Sequence, residues 1–279
     1  MNYRHSFHAG NFADLVKHAL VLWLLRARQA RMQGRGPVTV FDTHAGAGLY
    51  DLTGDGARSR EAEAGVLKLM ASQDLPPTIA ALAAEVRAVN DGAAETRLYP
   101  GSPLLVARAL RGDDAYCGFE LNPPVVELLH QALADYPYAD GLAGDGYVEA
   151  LSAVRTAVKA GARPAPLVLI DPPFERPDDY VRAAETAMAV VRADPKATVA
   201  VWTPLKDLET FDGFLRRLSG DVLVAEARLR PLTNPMKMNG CAMVVLNPPP
   251  GAEAAAQEIC GWVADTLGDA GARAEVWRT

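Results

Sequence analysis

The tetrapeptide Asp171-Pro172-Pro173-Phe174 directly follows the apolar run Leu167-Val168-Leu169-Ile170. Such a run has the pattern of a parallel strand covered on both faces, and ligands bind off the carboxyl ends of strands of that kind. The four residues suit one chemistry. The exocyclic amino nitrogen of adenine is a poor nucleophile, because its lone pair is delocalised into the ring. A carboxylate and a main-chain carbonyl that both accept from that NH2 orient the lone pair and favour a pyramidal nitrogen. Asp171 can supply the first acceptor and the Pro172 carbonyl the second. Tandem prolines restrict the backbone and remove competing N–H donors, and Phe174 can stack on a base drawn out of its helix. The competing use is a proline-terminated strand whose Asp caps a following helix.

Further candidates lie upstream. Asp42, His44, Gly46 and Gly48 fall in the run Phe41-Asp42-Thr43-His44-Ala45-Gly46-Ala47-Gly48. Glycines after a strand let a nucleotide-like ligand approach the backbone, but they serve a tight turn equally well, and a dinucleotide fingerprint would want glycine where Asp51 stands. Glu120 ends the next strand-like run, where an acid can take ribose hydroxyls; it can also be a helix N-terminal charge, since Pro123 suits a first turn. Asp145, between Gly144 and Gly146, sits where a third strand ends, and can accept from a ligand's amino group or simply make a turn. His18, His44 and Ser102 are unremarkable one at a time.

The elements that must position these residues follow from periodicity. Asn11 with Asp14 resembles a helix N-cap with its capping-box partner, and the helix should end near Gly34 to Pro37. Strands are expected at 38–42, 115–120, 167–171 and 198–202, alternating with helices over 104–110, 123–134, 178–193 and 207–218. Two late strands, 222–230 and 241–246, joined by a loop containing Asn234-Pro235, predict an antiparallel pair at the sheet's edge; a last helix covers 252–267. The alternation predicts an α/β fold with a mostly parallel, doubly wound sheet. The stretch 49–98 is helical in pattern, contains no convincing strand, and accounts for the long gap from Gly48 to Glu120. It reads as an inserted helical subdomain, with 1–48 and 99–279 forming the main domain.

Composition narrows the class. The 279 residues are 49% apolar, enough for a sizeable core. No apolar run is long enough to span a membrane, and no signal peptide is evident. Three scattered cysteines show no metal spacing and suggest a reducing, cytoplasmic setting; no metal is expected. The net charge is −6, but residues 1–36 carry Arg4, Lys17, Arg26, Arg28, Arg31 and Arg35 against Asp14 alone. That segment is compatible with a phosphate-binding surface or with an ordinary solvated helix face. No long exposed apolar helix demands a partner, so a monomer is expected.

With these residues in view, the chain resembles the bacterial RlmJ family of large-subunit ribosomal RNA adenine-N6 methyltransferases. The resemblance rests on Tyr3-Arg4-His5-Ser6-Phe7-His8-Ala9-Gly10-Asn11 with Asp14 and Lys17-His18, on Asp42 to Gly48, and on Tyr99-Pro100-Gly101-Ser102-Pro103. It spans essentially the whole chain. It implies a Rossmann-like methyltransferase fold, S-adenosylmethionine as cofactor, and 23S rRNA as partner, with adenine 2030 as the target. By motif it implies cofactor contacts at His18, His44, Ser102, Glu120, Gly144, Asp145 and Asp171, together with the Gly46–Gly48 turn. Tyr3, His5 and Lys17 become candidates for handling RNA. Phe174 replaces the tyrosine common at that position, so no hydroxyl is available there. A DNA adenine methyltransferase would share the tetrapeptide, but no added target-recognition domain is evident. A glutamine methyltransferase would carry asparagine at position 171. A non-catalytic RNA-binding module would have no need of Asp171, Glu120 and the glycine turn together.

Overall fold

The computed structural model describes residues 8–33, 36–53, 60–161, 166–232 and 238–279. Tyr3, His5 and the Asn234-Pro235 loop lie outside the described residues.

Helix α1 (Phe12–Met32) starts at Asn11, whose side chain accepts from the amides of Ala13 and Asp14. The reciprocal half of the expected capping box is displaced by one residue: Asp14 accepts from the Gly10 amide, because the Asn11 amide already bonds the His8 carbonyl. Strand β1 (Thr39–Asp42) follows, then β2 (Leu49–Asp51), the helices α2 (Glu61–Ala64), α3 (Val66–Ala71) and α4 (Pro77–Val89), and β3 (Leu98–Pro100). The expectation of no strand in 49–98 is corrected here. β2 and β3 pair antiparallel as a separate two-stranded ribbon at the two ends of the helical stretch. Three residues per strand are too few to show an alternating pattern.

The remaining elements are α5 (Ser102–Ala109), β4 (Ala115–Glu120), α6 (Pro123–Leu133), β5 (Ala139–Ala143), α7 (Gly146–Lys159), β6 (Leu167–Ile170), α8 (Asp179–Ala193), β7 (Thr198–Pro204), α9 (Leu208–Leu215), β8 (Val222–Arg228), β9 (Gly240–Leu246), α10 (Ala252–Leu267) and β10 (Arg273–Arg278). The main sheet runs β5-β4-β1-β6-β7-β9-β8-β10. The five strands from β5 to β7 are parallel, whereas β9 is antiparallel to both β7 and β8. The late pair is therefore antiparallel, as expected, but it is not outermost. β10, which the sequence reading missed, pairs along the whole of β8 and forms the edge. Its charged–apolar alternation runs only from Arg273 to Val276 and is broken by Trp277, too short to stand out; Ala274 and Val276 pack on one core and Trp277 on the other.

Two cores flank the sheet. Leu167 and Leu169 of β6 join the core beneath α1, α5 and α10, while Val168 and Ile170 join the opposite core with α7, α8 and α9. Both faces of β6 are thus covered, which is why its sequence is apolar without interruption. The chain proceeds from β1 to β4 and β5 on one side, then crosses to β6 and β7 on the other. The switch point lies between β1 and β6, and a crevice opens there at the carboxyl ends of the strands.

Candidate active site

Asp42 ends β1 and Asp171 directly follows β6 at that switch point; Asp171 lines a cavity of about 1260 Å³, and Asp42 lies outside its lining. Lys17, from α1, bridges Asp171 to Asp14. Its Nζ lies 2.5 Å from Asp171 Oδ2 and 2.9 Å from Asp14 Oδ1. Burial alone would lower the Lys17 ammonium, but Asp14 and Asp171 outweigh it and hold its pKa well above the ordinary lysine value. Asp42 is fully buried and accepts from Ser102 Oγ at 2.6 Å and Tyr116 OH at 3.2 Å. Burial pushes its carboxyl up to about 6. Two carboxylates, Asp14 and Asp171, against the one Lys17 ammonium leave this part of the cavity lining with an excess of negative charge.

The glycine turn forms the adjoining wall. Gly46 and Gly48 have φ of +66° and +79°, a region that disfavours side chains, and a Cβ on Gly46 would strike the Tyr50 hydroxyl. That hydroxyl instead accepts from the Ala47 amide at 3.1 Å. Glu120, at the end of β4, reaches the turn: Oε2 accepts from the Gly46 amide at 3.2 Å and Oε1 from Asn122 at 2.8 Å. His44 packs edge-on against Tyr147, with centroids 4.7 Å apart, and burial pushes its pKa down to about 4, so its ring is neutral at physiological pH. His18 is buried, with Nδ1 2.7 Å from Tyr99 OH. Asp145 caps α7 through the Tyr147 amide and pairs with Arg182 at 2.7 Å. Gly144 donates its amide to the Glu120 carbonyl.

The cavity thus gathers His18, His44, Gly46, Ser102, Glu120, Gly144, Asp145, Asp171, Pro172 and Pro173 from six segments of the chain. Three expectations need correction. Gly48 does not line the cavity: a Cβ there would meet Ala132 of α6. Phe174 does not line the cavity: it is 3% exposed, packed on Tyr180 and Trp202. Nor does Lys17 stand on a basic surface. It is 4% exposed and neutralised on the cavity floor. Arg28 is also buried, donating to the Lys196 carbonyl, so of the four described cations in residues 1–36 only Arg26 and Arg31 are solvated. A count of charges along the chain cannot distinguish a solvated helix face from one turned inward.

Sequence reasoning also passed over Trp202, Arg182 and Gly146. Gly146 admits no side chain, since a Cβ there would overlap the Thr43 backbone. The Gly-Asp-Gly spacing carried that signal, but it reads equally as an ordinary turn.

A doubly wound sheet with this switch-point cavity and this antiparallel edge is the Rossmann-like methyltransferase fold. The family model described as "Ribosomal RNA large subunit methyltransferase D, RlmJ" matches residues 35–279, and the chain belongs to that family. It is 30% identical over 272 residues to the Ribosomal RNA large subunit methyltransferase J of Haemophilus influenzae, covering 96% of this chain and 94% of that one. It is 29% identical over 276 residues to the Escherichia coli protein of the same name, covering 97% and 95%. A crystal structure of a Legionella pneumophila protein superposes with a TM-score of 0.83 at 22% identity, covering 97% of this chain and 98% of that one, and shares the fold. The methyl donor of the family is S-adenosylmethionine.

Proposed function

We propose that this protein methylates the N6 amino group of an adenine in 23S rRNA, adenine 2030 of that molecule, from S-adenosylmethionine. One observation carries the reading: Asp171 and Pro172 line the same cavity as Gly46 and Ala47 of the glycine turn.

The residues present fit the cofactor. The surplus of carboxylates at Asp14 and Asp171 over Lys17 suits a ligand bearing a sulfonium, and neutral His44 adds no repulsion. The open backbone at Gly46 leaves room that a Cβ would fill. The cavity exceeds the ~300–1,000 Å³ of a typical ligand pocket, which leaves space for a base beside the cofactor. In this reading Glu120 takes the ribose hydroxyls, Asp145 the cofactor's adenine amino group, and His18, His44, Ser102 and Gly144 complete the contacts.

When bound, S-adenosylmethionine supplies an electrophilic methyl group. The chain supplies alignment, which lowers the barrier by holding the reactants in a productive geometry. Lys17 holds Oδ2 of Asp171, leaving Oδ1 to accept one N–H of the target amino group. The Pro172 carbonyl accepts the other. The nitrogen becomes acidic as it forms its new bond, and its proton passes to Asp171 or to water. Tyr3 and His5 remain candidates for guiding RNA.

The test is incubation with labelled cofactor and either unmodified 23S rRNA or duplex DNA, followed by mapping of the methylated nucleotide. Label at adenine N6 in the RNA alone is expected. Label in DNA alone, or on another atom, would overturn the reading. Asp171→Ala should abolish transfer and also weaken cofactor binding, since Asp171 is one of the carboxylates facing the sulfonium.

A further inference from the structure

Building on that reading, we infer that Trp202, rather than Phe174, is the ring on which the target base stacks, and that Trp202 thereby sets how the base is held. Phe174 is sealed off. It is 3% exposed, with its ring centroid 4.5 Å from that of Tyr180 and 5.8 Å from that of Trp202. Its φ is +51°, and its carbonyl accepts from Lys206 Nζ at 2.9 Å. Tyr180 is tied in turn to the Pro204 carbonyl at 2.9 Å. Turning the phenyl ring into the cavity would break this packing.

Trp202 is half-buried and lines the cavity. In the parallel ladder Ile170 of β6 sits opposite Val201 of β7. Asp171 directly follows the last paired residue of β6, and Trp202 directly follows that residue's partner on β7, on strands ~4.8 Å apart. The orientation of the indole agrees. Lys17 Nζ lies over the Trp202 ring, 6.0 Å from its centroid, and is bonded to Asp171. The ring therefore turns a face toward Lys17, the cation that holds the carboxylate proposed to receive the amino group. An adenine whose NH2 reaches Asp171 and the Pro172 carbonyl has this indole face beside it. Phe174 braces the indole from the core side.

Stacking of a base on an aromatic side chain is worth ~5- to 150-fold in binding. The experiment measures methyl transfer to an unmodified 23S rRNA fragment by Trp202→Phe, Trp202→Leu and Trp202→Met, beside cofactor affinity and the emission of the same fragment carrying 2-aminopurine at the target position. Trp202→Leu and Trp202→Met are expected to lower kcat/KM for RNA ~5- to 150-fold, with cofactor affinity unchanged and the probe brighter than in the wild-type complex. Trp202→Phe should retain most of the activity. Two non-aromatic replacements of different shape guard against a variant that does not fold. Equal activity in the Phe, Leu and Met variants would overturn the inference. So would a probe brightened by Phe174→Leu but not by the Trp202 variants, since that would mean the phenyl ring turns outward. Failure of the wild-type protein to methylate any adenine N6 would instead defeat the reading of the substrate.

Discussion

Lys17 Nζ and Asp171 Oδ2 are 2.5 Å apart, although 154 positions separate them in the chain. The pair ties the first helix to the end of the central strand and fixes the carboxylate on which the proposed chemistry turns. Lys17→Met would leave Asp14 and Asp171 facing each other without a cation. Breaking a buried pair from one side costs about 3–5 kcal/mol. Denaturant unfolding should show a loss of that size in the single variant, and a smaller one in Lys17→Met/Asp171→Asn, where the second charge is removed as well.

The pH dependence of stability should carry opposed contributions from Asp42 and His44. Asp42 has a folded pKa of about 6, above its unfolded value near 3.8. Its contribution is fully present below pH 3.8 and is lost as the pH rises through 6. His44 has a folded pKa of about 4, below 6.5, so its contribution is present above pH 6.5 and is lost as the pH falls through 4. Between pH 4 and 6 the two slopes offset each other. Asp42→Asn removes the falling one, so that variant should gain on the wild type by on the order of 3 kcal/mol across this interval. Urea titrations at pH 4 and pH 6.5 give the comparison; an unchanged difference would remove Asp42 from the account.

Gly146→Ala should be severe. The added methyl group would overlap the Thr43 carbonyl, and backbone cannot rotate aside as a flexible side chain can. A loss of about 3 kcal/mol or more is expected, seen as a large fall in melting temperature. Gly46→Ala meets only the end of the Tyr50 side chain. Its stability loss should be smaller, about 1 kcal/mol from the positive φ, with the larger effect on cofactor affinity measured by calorimetry.

Glu120→Ala should weaken cofactor binding, because Glu120 both organises the Gly46 amide and, in the proposed role, receives the ribose. Loss of a charge-assisted pair of hydrogen bonds costs about 1.5–3 kcal/mol, roughly a 10- to 100-fold rise in Kd. The folded enzyme should otherwise be little changed, since among the described residues the Glu120 side chain bonds two backbone amides. Calorimetric titration with the cofactor, together with a thermal melt, separates the two effects.

Much of this molecule is readable in its linear order. The Leu167–Ile170 run must be covered on both sides, the glycines at 46 and 48 must turn sharply, and the Asn11 cap must start a helix, because each depends on neighbours within a few positions. Resemblance added the family and the cofactor. Tertiary structure alone decided which side chains meet. Whether Lys17 reaches solvent or Asp171, and whether Phe174 or Trp202 faces the cavity, depends on strand register and on which face of α1 turns inward. The edge strand β10 was hidden for the same reason: a short run becomes a strand only when β8 is present to pair with it. Such contacts join residues far apart in sequence, and their energies depend on burial that no local pattern reports.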